Sequence, residues 1–380
     1  QLVRALVCGT RGPRFEPGGR YQPSLRAAPS EGCLAGARRA KADCAFHPRA
    51  SDGKPLDKAA HPHDTLKSAH ARYAAHAAAA CGYAFRSLDG ADGYLFEVRD
   101  GARVATFAAG AGTPYALNDA RAASVARDKS FCAETLRQAG ISVLPGEKFF
   151  VTKRWSDMRT PGREPEDALH YARTAAYPIF CKPLSASNGL HAEVIESEAA
   201  FAHYMRRVAR EHFAILMQPY VRAAEYRVFV LNGEALFSYR KSLPQVIGDG
   251  RSALSDLIQV LERDPEAPDL LARDERGHRL SLEESPAAGA KVTLEGPANR
   301  SAGGAAHDLR NGAAPELARV ALAATATLGL RLAGVDMFDL DGKPCVIEVN
   351  SNPMIATLEE NNRWDLIDAI WRANFDAAFK

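Results

Sequence analysis

The densest group of residues able to do chemistry lies late in the chain, in Gly334–Pro353, GVDMFDLDGKPCVIEVNSNP. Asp336, Glu348 and Asn350 supply two carboxylates and an amide, so every donor they offer to a cation is oxygen. Residues 348 and 350 are two apart, and on a β-strand such side chains leave the same face. Asp341-Gly342 between two β-rich runs signals a hairpin, which returns Asp336 alongside them. An oxygen-only set suits Mg²⁺, a hard cation usually shared with nucleotide phosphates. The competing reading is the polar outer face of an ordinary hairpin. Val346, Ile347 and Val349 make the strand apolar and argue for burial, where carboxylates without a cationic partner are costly.

A second group is Tyr177–Glu196, YPIFCKPLSASNGLHAEVIE. A strand carries Lys182 to its end, and the small residues Ser185, Ala186, Ser187, Asn188 and Gly189 follow. Backbone N–H groups of such a loop can approach phosphate oxygens, with Lys182 as a point charge. A plain hairpin is the alternative, and the loop is not a Walker A sequence. The third group is Ile215–Ser242. Apolar residues 215–217 run into Gln218, Tyr220 and Val221, a backbone edge suited to adenine. Glu225 is placed to accept ribose hydroxyls, and Arg227 follows on the same strand face. Arg240 and Lys241 end the return strand; an amphipathic hairpin with surface charges remains the other reading.

The elements that must hold these groups are legible from pattern. Residues 64–81 predict a helix capped by Asp64 and ended by Gly82. Tyr94–Val98 and Val104–Phe107 predict a hairpin about Asp100-Gly101. A helix is expected over 119–139, a strand at Glu147–Thr152, a helix at 165–175, and strands at Tyr177–Lys182 and His191–Glu196. Helix 198–211 and strand Ala214–Gln218 follow. Asn232-Gly233 turns a hairpin between Tyr226–Leu231 and Glu234–Lys241. A helix over 252–264, a charged segment 264–286, a glycine-rich loop 296–312 and a helix 315–329 lead to the Leu332–Asn350 hairpin. The class is α+β with mixed sheets, and no internal repeat is present.

Composition narrows the function. The 380 residues imply two or three packed domains. A net charge of +2 gives no electrostatic case for nucleic acid or a membrane surface. No run of about 18 apolar residues predicts a membrane span. Leu2–Cys8 reads as an early strand, too short for a signal-peptide core. Seven scattered cysteines suggest reduced thiols and a cytoplasmic setting. Cys33, Cys44, His47, His61 and His63 form the one group with some zinc character, although no CxxC pair is present.

The three segments, in this order, resemble the ATP-grasp superfamily. Residues 80–355 are most similar to the ATP-grasp module of cyanophycin synthetases and of bifunctional glutathione synthetases. The resemblance rests on RDKSFCAETLRQAGISVLPG, YPIFCKPLSASNGLHAEVI, EYRVFVLNGEALFSYRKSLPQVIGDGRSALSDLI, PANRSAGGAAHDL and AGVDMFDLDGKPCVIEVNSNP. It implies an ATP-grasp fold: an N-terminal α/β pre-grasp domain over 1–127, a central lid over 128–212, and a C-terminal mixed-sheet domain over 213–380. It implies Lys129 and Lys182 as nucleotide lysines, with Ser187, Asn188 and Gly189 in the phosphate loop. Gln218, Tyr220 and Val221 match the adenine hinge and Glu225 the ribose carboxylate. Asp336, Glu348 and Asn350 match the metal ligands. Arg227 and the Asn299–Gly304 loop, with Ser301, match the part that meets the γ-phosphate and acyl phosphate.

The sequence departs from the family pattern in places. Gly189 is the single glycine of its loop, Leu190-His191 stands where Gly-Val is common, and Met354 replaces a glycine on the acceptor side. His191 is thereby a candidate to touch nucleotide. The implied activity is carboxylate–amine ligation with ATP and two Mg²⁺ ions, Mn²⁺ standing in, on amino acids or short peptides, by a monomer or homodimer. Arg227, Arg240 and Lys241 are expected to stabilise charge on the transferring phosphoryl group. A thiol acceptor, or a non-catalytic ATP-binding regulatory module, is the alternative. Residues 147–212 are expected to close over the site, and Arg99, Arg103, Tyr115 and Asn118 to hold a substrate carboxylate or amide.

Overall fold

The computed structural model describes residues 65–380 apart from 111, 187–188, 259–270 and 299–302. The strand expected at Leu2–Cys8 and the Cys33, Cys44, His47, His61, His63 group lie outside the described residues. Helix α1 (Ala69–Cys81) is the alanine-rich helix; Ser68 caps it by accepting the Ala71 N–H, and Gly82 (φ 74) ends it. The predicted cap, Asp64, also lies outside the described residues. Strands β1 (Ala84–Ser87), β2 (Leu95–Asp100) and β3 (Arg103–Ala108) form an antiparallel sheet in that order. The Asp100-Gly101 hairpin is as expected, while β1 was not anticipated.

The helix expected over 119–139 is two helices, α2 (Ala120–Arg127) and α3 (Lys129–Gln138). Asp128 breaks it: its backbone is extended (φ −84, ψ 111), and its carboxylate accepts the N–H groups of Ser130 and Phe131. An aspartate that prefers capping to helix interior explains the break. It sets Lys129 on the first residue of α3.

Next come β4 (Glu147–Phe150), a single 3₁₀ turn (Ser156–Met158), α4 (Pro165–Arg173), β5 (Ile179–Pro183), β6 (Glu193–Ile195), α5 (Glu198–Val208) and β7 (Ala214–Pro219). The strands pair antiparallel in the order β4-β7-β5-β6. Phe149, Ile179, Ile195, Ile215 and Met217 of this sheet pack against Ala168 and Ala172 of α4 and Phe201, Tyr204 and Val208 of α5.

Strands β8 (Ala224–Leu231) and β9 (Glu234–Ser242) follow around Asn232-Gly233. The next stretch departs from expectation. Strands β10 (Gln245–Ile247), β11 (Leu271–Arg273), β12 (Arg279–Leu280) and β13 (Lys291–Glu295) make a second four-stranded sheet, ordered β10-β13-β11-β12. Helix α6 (Leu254–Ile258) covers only the start of the predicted 252–264 helix among the described residues. Part of the supposed glycine-rich loop is strand β14 (Ala305–Asn311), paired with β9. Helix α7 (Pro315–Leu328), β15 (Leu332–Leu340) and β16 (Lys343–Asn350) fall where predicted; α8 (Ala356–Glu360) and α9 (Trp364–Ala378), which were not anticipated, end the chain.

The central sheet runs β14-β9-β8-β15-β16, antiparallel throughout. One face, through Val228, Val230, Ala333, Val335, Val346 and Val349, packs on α7, α2 and α3. The other face is divided along its strands. Phe229, Leu231, Phe237, Tyr239 and Leu332 join α1, β2, β3 and α9 in one core around Trp371 and Phe375. The far half of that face carries Glu225, Arg227, Lys241, Asp336 and Glu348 and stays open. Among the described residues no helix is long and apolar enough to cross a membrane. Cys81, Cys132, Cys181 and Cys345 are free thiols.

His70 sits in the α1–α9 core, edge-on to Tyr115 (5.6 Å) and Trp371 (6.4 Å). Burial lowers its pKa from 6.5 to about 4, so the folded protein holds a neutral ring. The unfolded chain takes up a proton below pH 6.5 that the fold refuses until about pH 4. Stability is therefore complete above the unfolded value and declines through this window, by on the order of 3 kcal/mol in all. Urea unfolding midpoints measured across pH 7 to 4 should fall less steeply in His70→Gln than in the parent; parallel curves would refute the assignment.

Candidate active site

Register alone builds the floor of the site. Arg227 on β8 stands directly opposite Asp336 on β15, and Asp336 opposite Glu348 on β16. One step along, Glu225 faces Lys241 on β9. A β-bulge between Asp336 and Met337 leaves Ile347 as the extra residue, and both Ile347 and Glu348 line the cleft. Gly334 opens room beside this row: a Cβ there would lie 3.4 Å from the Arg227 stem and 3.1 Å from Pro353.

The buried charges satisfy one another. Arg227 grips Asp336 bidentately, Nε to Oδ1 at 2.7 Å and Nη2 to Oδ2 at 2.6 Å, and Asp336 is only 1% exposed. Lys241 donates to Glu225 and lies 3.5 Å from Asp336. Asn350 Nδ2 donates to Glu348 Oε1 at 3.2 Å. Burial alone would raise the Glu348 pKa, but Lys129, Lys182, Lys241 and Arg227 surround it and hold it well below the usual carboxylate range. Burial raises Glu225 despite Lys241 beside it. Lys182 is pushed down by burial, against the pull of Glu348.

The opposite wall comes from the β4–β7 sheet and α3. Lys129 Nζ reaches Glu348 Oε2 at 3.6 Å and donates to the Ala186 carbonyl at 2.9 Å. Lys182 is 5% exposed and lines the same cleft. Gln218, Tyr220, Val221 and Gly189 line it too. Gln218 Nε2 donates to the Leu144 carbonyl at 3.3 Å, while its buried Oε1 has no hydrogen-bond partner among the described residues. A buried acceptor facing a cleft is costly unless something donates to it, and an exocyclic amine fits. The cleft holds about 1360 Å³.

The sequence-predicted residues therefore converge, with exceptions. Arg240 is exposed on the strand face opposite Lys241, at the cleft rim. Ser187, Asn188, Asn299 and Ser301 lie outside the described residues. His191 is not part of the lining. Arg99, Arg103, Tyr115 and Asn118 do not line it either: Arg99 pairs with Glu97, Arg103 with Asp100, Tyr115 donates to the Pro353 carbonyl, and Asn118 bridges Leu332 and Ser351. Their place is taken by Lys67, His70, Tyr94, Asn352, Met354 and Thr357. Sequence reading also missed Glu295, 4% exposed and held by Arg222 and Arg273 at 2.6 and 2.8 Å. Arg222 lies over Tyr220 as well, tying the Gln218–Val221 edge to the second four-stranded sheet. No local signal links residues 222, 273 and 295.

Asp336, Glu348 and Asn350, expected from the sequence to hold a cation, lie side by side on one sheet face, with Asn350 Nδ2 turned toward the two carboxylates. A carboxylate has about four lone-pair sites, and Arg227 takes two of those on Asp336. Half a turn of the Asn350 amide presents its oxygen. The donor set is then all oxygen, as Mg²⁺ prefers.

Removing one partner of a buried, hydrogen-bonded ion pair strands the other. Asp336→Ala should cost about 3–5 kcal/mol of unfolding free energy, read from urea denaturation. A loss below about 1 kcal/mol, the level of a surface pair, would show that the Arg227–Asp336 pair does not organise the sheet.

Residues 292–373 match the RimK-like ATP-grasp domain. The bifunctional glutathione biosynthesis protein GshAB of Streptococcus agalactiae is 28% identical over 240 residues, 55% of this chain and 31% of that protein. Cyanophycin synthetase of Trichormus variabilis is 29% identical over 214 residues, 50% of this chain and 23% of that protein. The chain thus spans about a third or less of the length of these relatives. Among solved structures, a bifunctional glutathione synthetase from Pasteurella multocida aligns with 72% of this chain and 39% of its own (TM-score 0.38, 20% identity). D-alanine–D-alanine ligase from Bacillus anthracis aligns with 67% and 68% (TM-score 0.40, 14% identity).

Proposed function

We propose that this chain, which carries a RimK-like ATP-grasp domain within an ATP-grasp fold, is an ATP-dependent carboxylate–amine ligase. It forms an amide or peptide bond between amino-acid-like substrates through an acyl phosphate and releases ADP and phosphate. One observation supports this above the others. Lys129 and Lys182 reach down from one wall of the cleft toward Glu348 on the other, where Arg227, Lys241, Asp336 and Glu225 are already paired. That is a surface built for a polyanion together with its counter-cations.

Each side chain then has a task. Gln218 Oε1 accepts from the adenine amine beside Tyr220 and Val221, and Glu225 accepts from ribose. Lys129, Lys182 and the Gly189 turn, with Ser187 and Asn188, take the α- and β-phosphates. Asp336, Glu348 and Asn350 would hold magnesium, which would supply charge neutralisation to the phosphate chain. Arg227 keeps Asp336 oriented and, with Lys241 and Arg240, offsets charge as the phosphoryl group moves. Asn299 and Ser301, which precede β14 in the sequence, are assigned to the γ-phosphate side by the family resemblance alone. A substrate carboxylate oxygen bonds to the γ-phosphorus while the bond to the ADP oxygen breaks. The amine nitrogen then bonds to the acyl carbon, phosphate leaves with the electron pair, and the amine loses a proton. Residues 147–212 act as the lid that keeps water from the acyl phosphate. Lys67, Tyr94, Asn352, Met354 and Thr357 form the substrate end, where residues 65–127 and the 213–380 region meet around one pocket.

Incubation with Mg-ATP and a panel of amino acids and dipeptides should release ADP and phosphate in equal amounts. Stoichiometric AMP would exclude the acyl-phosphate route. Glu348→Gln, which keeps shape and hydrogen bonding, should lower turnover at least about a hundredfold with an unchanged circular dichroism spectrum. Near-parental turnover in that variant would remove the metal assignment.

A further inference from the structure

Among the described residues, one group of three metal-ligating side chains converges away from the cleft floor. His191, Glu211 and His212 bring their ligand atoms within 4.8 Å of one another. His191 closes the turn after Gly189, whereas Glu211 and His212 lie in the link from α5 to β7. The backbone brings the two segments together. Tyr204 of α5 donates its hydroxyl to the His191 carbonyl at 2.9 Å, and the His212 N–H donates to the Val208 carbonyl at 2.9 Å. His191 is held at φ 52, a conformation uncommon for any residue but glycine.

The donor geometry is that of a cation site. His191 Nε2 lies 3.6 Å from Glu211 Oε2, and the two imidazoles meet edge-on with centroids 5.2 Å apart. Ligands about 2.1 Å from a tetrahedral zinc ion stand roughly 3.4 Å from each other. On its far side His191 Nδ1 lies 3.9 Å from Glu193 Oε1, and Arg207 holds Glu193 in turn. A carboxylate facing the second ring nitrogen is the usual setting of a metal-bound histidine. His212 Nε2 is buried and has no hydrogen-bond partner among the described residues.

We propose that His191, Glu211 and His212 form a binding site for a first-row divalent transition metal of the zinc type. Two imidazoles and one carboxylate suit such an ion, whereas Mg²⁺ selects oxygen alone. The fourth position is open to water. Gly189, Leu190 and Ala192 line the nucleotide cleft while His191 does not, so the ion binds on the back of the same turn. It ties the phosphate-side turn to the end of α5 and sets its resting position. The proposal does not depend on the ligase assignment.

The test uses the full chain freed of metal by chelation, titrated with Zn²⁺ in a calorimeter, with Co²⁺ absorption as the spectroscopic readout of tetrahedral coordination. One tight equivalent is expected in the parent. It should be lost in His212→Ala and in His191→Asn, whose side chain tolerates the left-handed backbone. It should be retained in Glu348→Gln and in a Cys33→Ser, Cys44→Ser double variant. The melting temperature should rise with Zn²⁺ in the parent and not in His212→Ala. Should His212→Ala fail to fold, Glu211→Gln, altered at an exposed carboxylate, must weaken the tight site. No tight equivalent in the parent, or one unchanged in the folded His212 or Glu211 variant, overturns the proposal.

Discussion

Asp336 sets a carboxylate where almost no solvent reaches, and the rest of the site follows from that placement. It is 1% exposed on β15, an interior strand of a five-stranded sheet. A lone carboxylate there would be expelled or protonated. Arg227, directly across the strand pair, takes both its oxygens, and Lys241 stands at 3.5 Å. Those cations need further anions, which Glu225 and Glu348 provide, and Glu348 in turn draws in Lys129 from α3. Four cations (Lys129, Lys182, Arg227, Lys241) against three carboxylates (Glu225, Asp336, Glu348) leave a single positive excess among these seven groups.

The same sheet face must also close a hydrophobic core, and β8 shows how both demands are met. Arg227, Phe229 and Leu231 share one face by period-two alternation. The first belongs to the cleft and the other two to the core with α1 and α9. Phe229 stacks on Phe237 (4.8 Å), and Phe237 on Tyr239 (6.4 Å), which lines the cleft. An aromatic row thus backs the charged row directly and keeps water from reaching it from behind.

What could be read from sequence was whatever is encoded locally. The two hairpins at Asn232-Gly233 and Asp341-Gly342 carry unambiguous turn chemistry, and they hold Glu225, Arg227, Lys241, Asp336, Glu348 and Asn350. Hence most of the floor was visible before the fold. The second four-stranded sheet was not, because its strands are only two to five residues long, and β14, AAHDLRN, has the composition of a loop. Its strand character comes from pairing with β9, a tertiary cause. The break at Asp128 was missed because the apolar period continues across it, while a capping carboxylate interrupts the backbone. Arg99 and Arg103 were expected at the substrate because residues 80–120 were the ordered part left to close that side, yet each already has an acidic partner on its own hairpin. Glu295, with Arg222 and Arg273, depends on contacts between distant segments that no local window contains.

The joining of α1 to the far end of the chain has a consequence for synthesis. Tyr73 bonds to Glu359 and His76 to Asp368, across 286 and 292 residues, and Phe107 packs on Trp371 and Phe375. On a ribosome, the apolar side of α1 and of the first hairpin lacks its α9 cover, Trp371 and Phe375, until that helix has left the exit tunnel. At ordinary translation speeds that wait lasts roughly a quarter of a minute to a minute. For that interval Tyr73, Phe96 and Phe107 present a sticky surface on a nascent chain, and whatever shields it during translation governs the yield of folded protein.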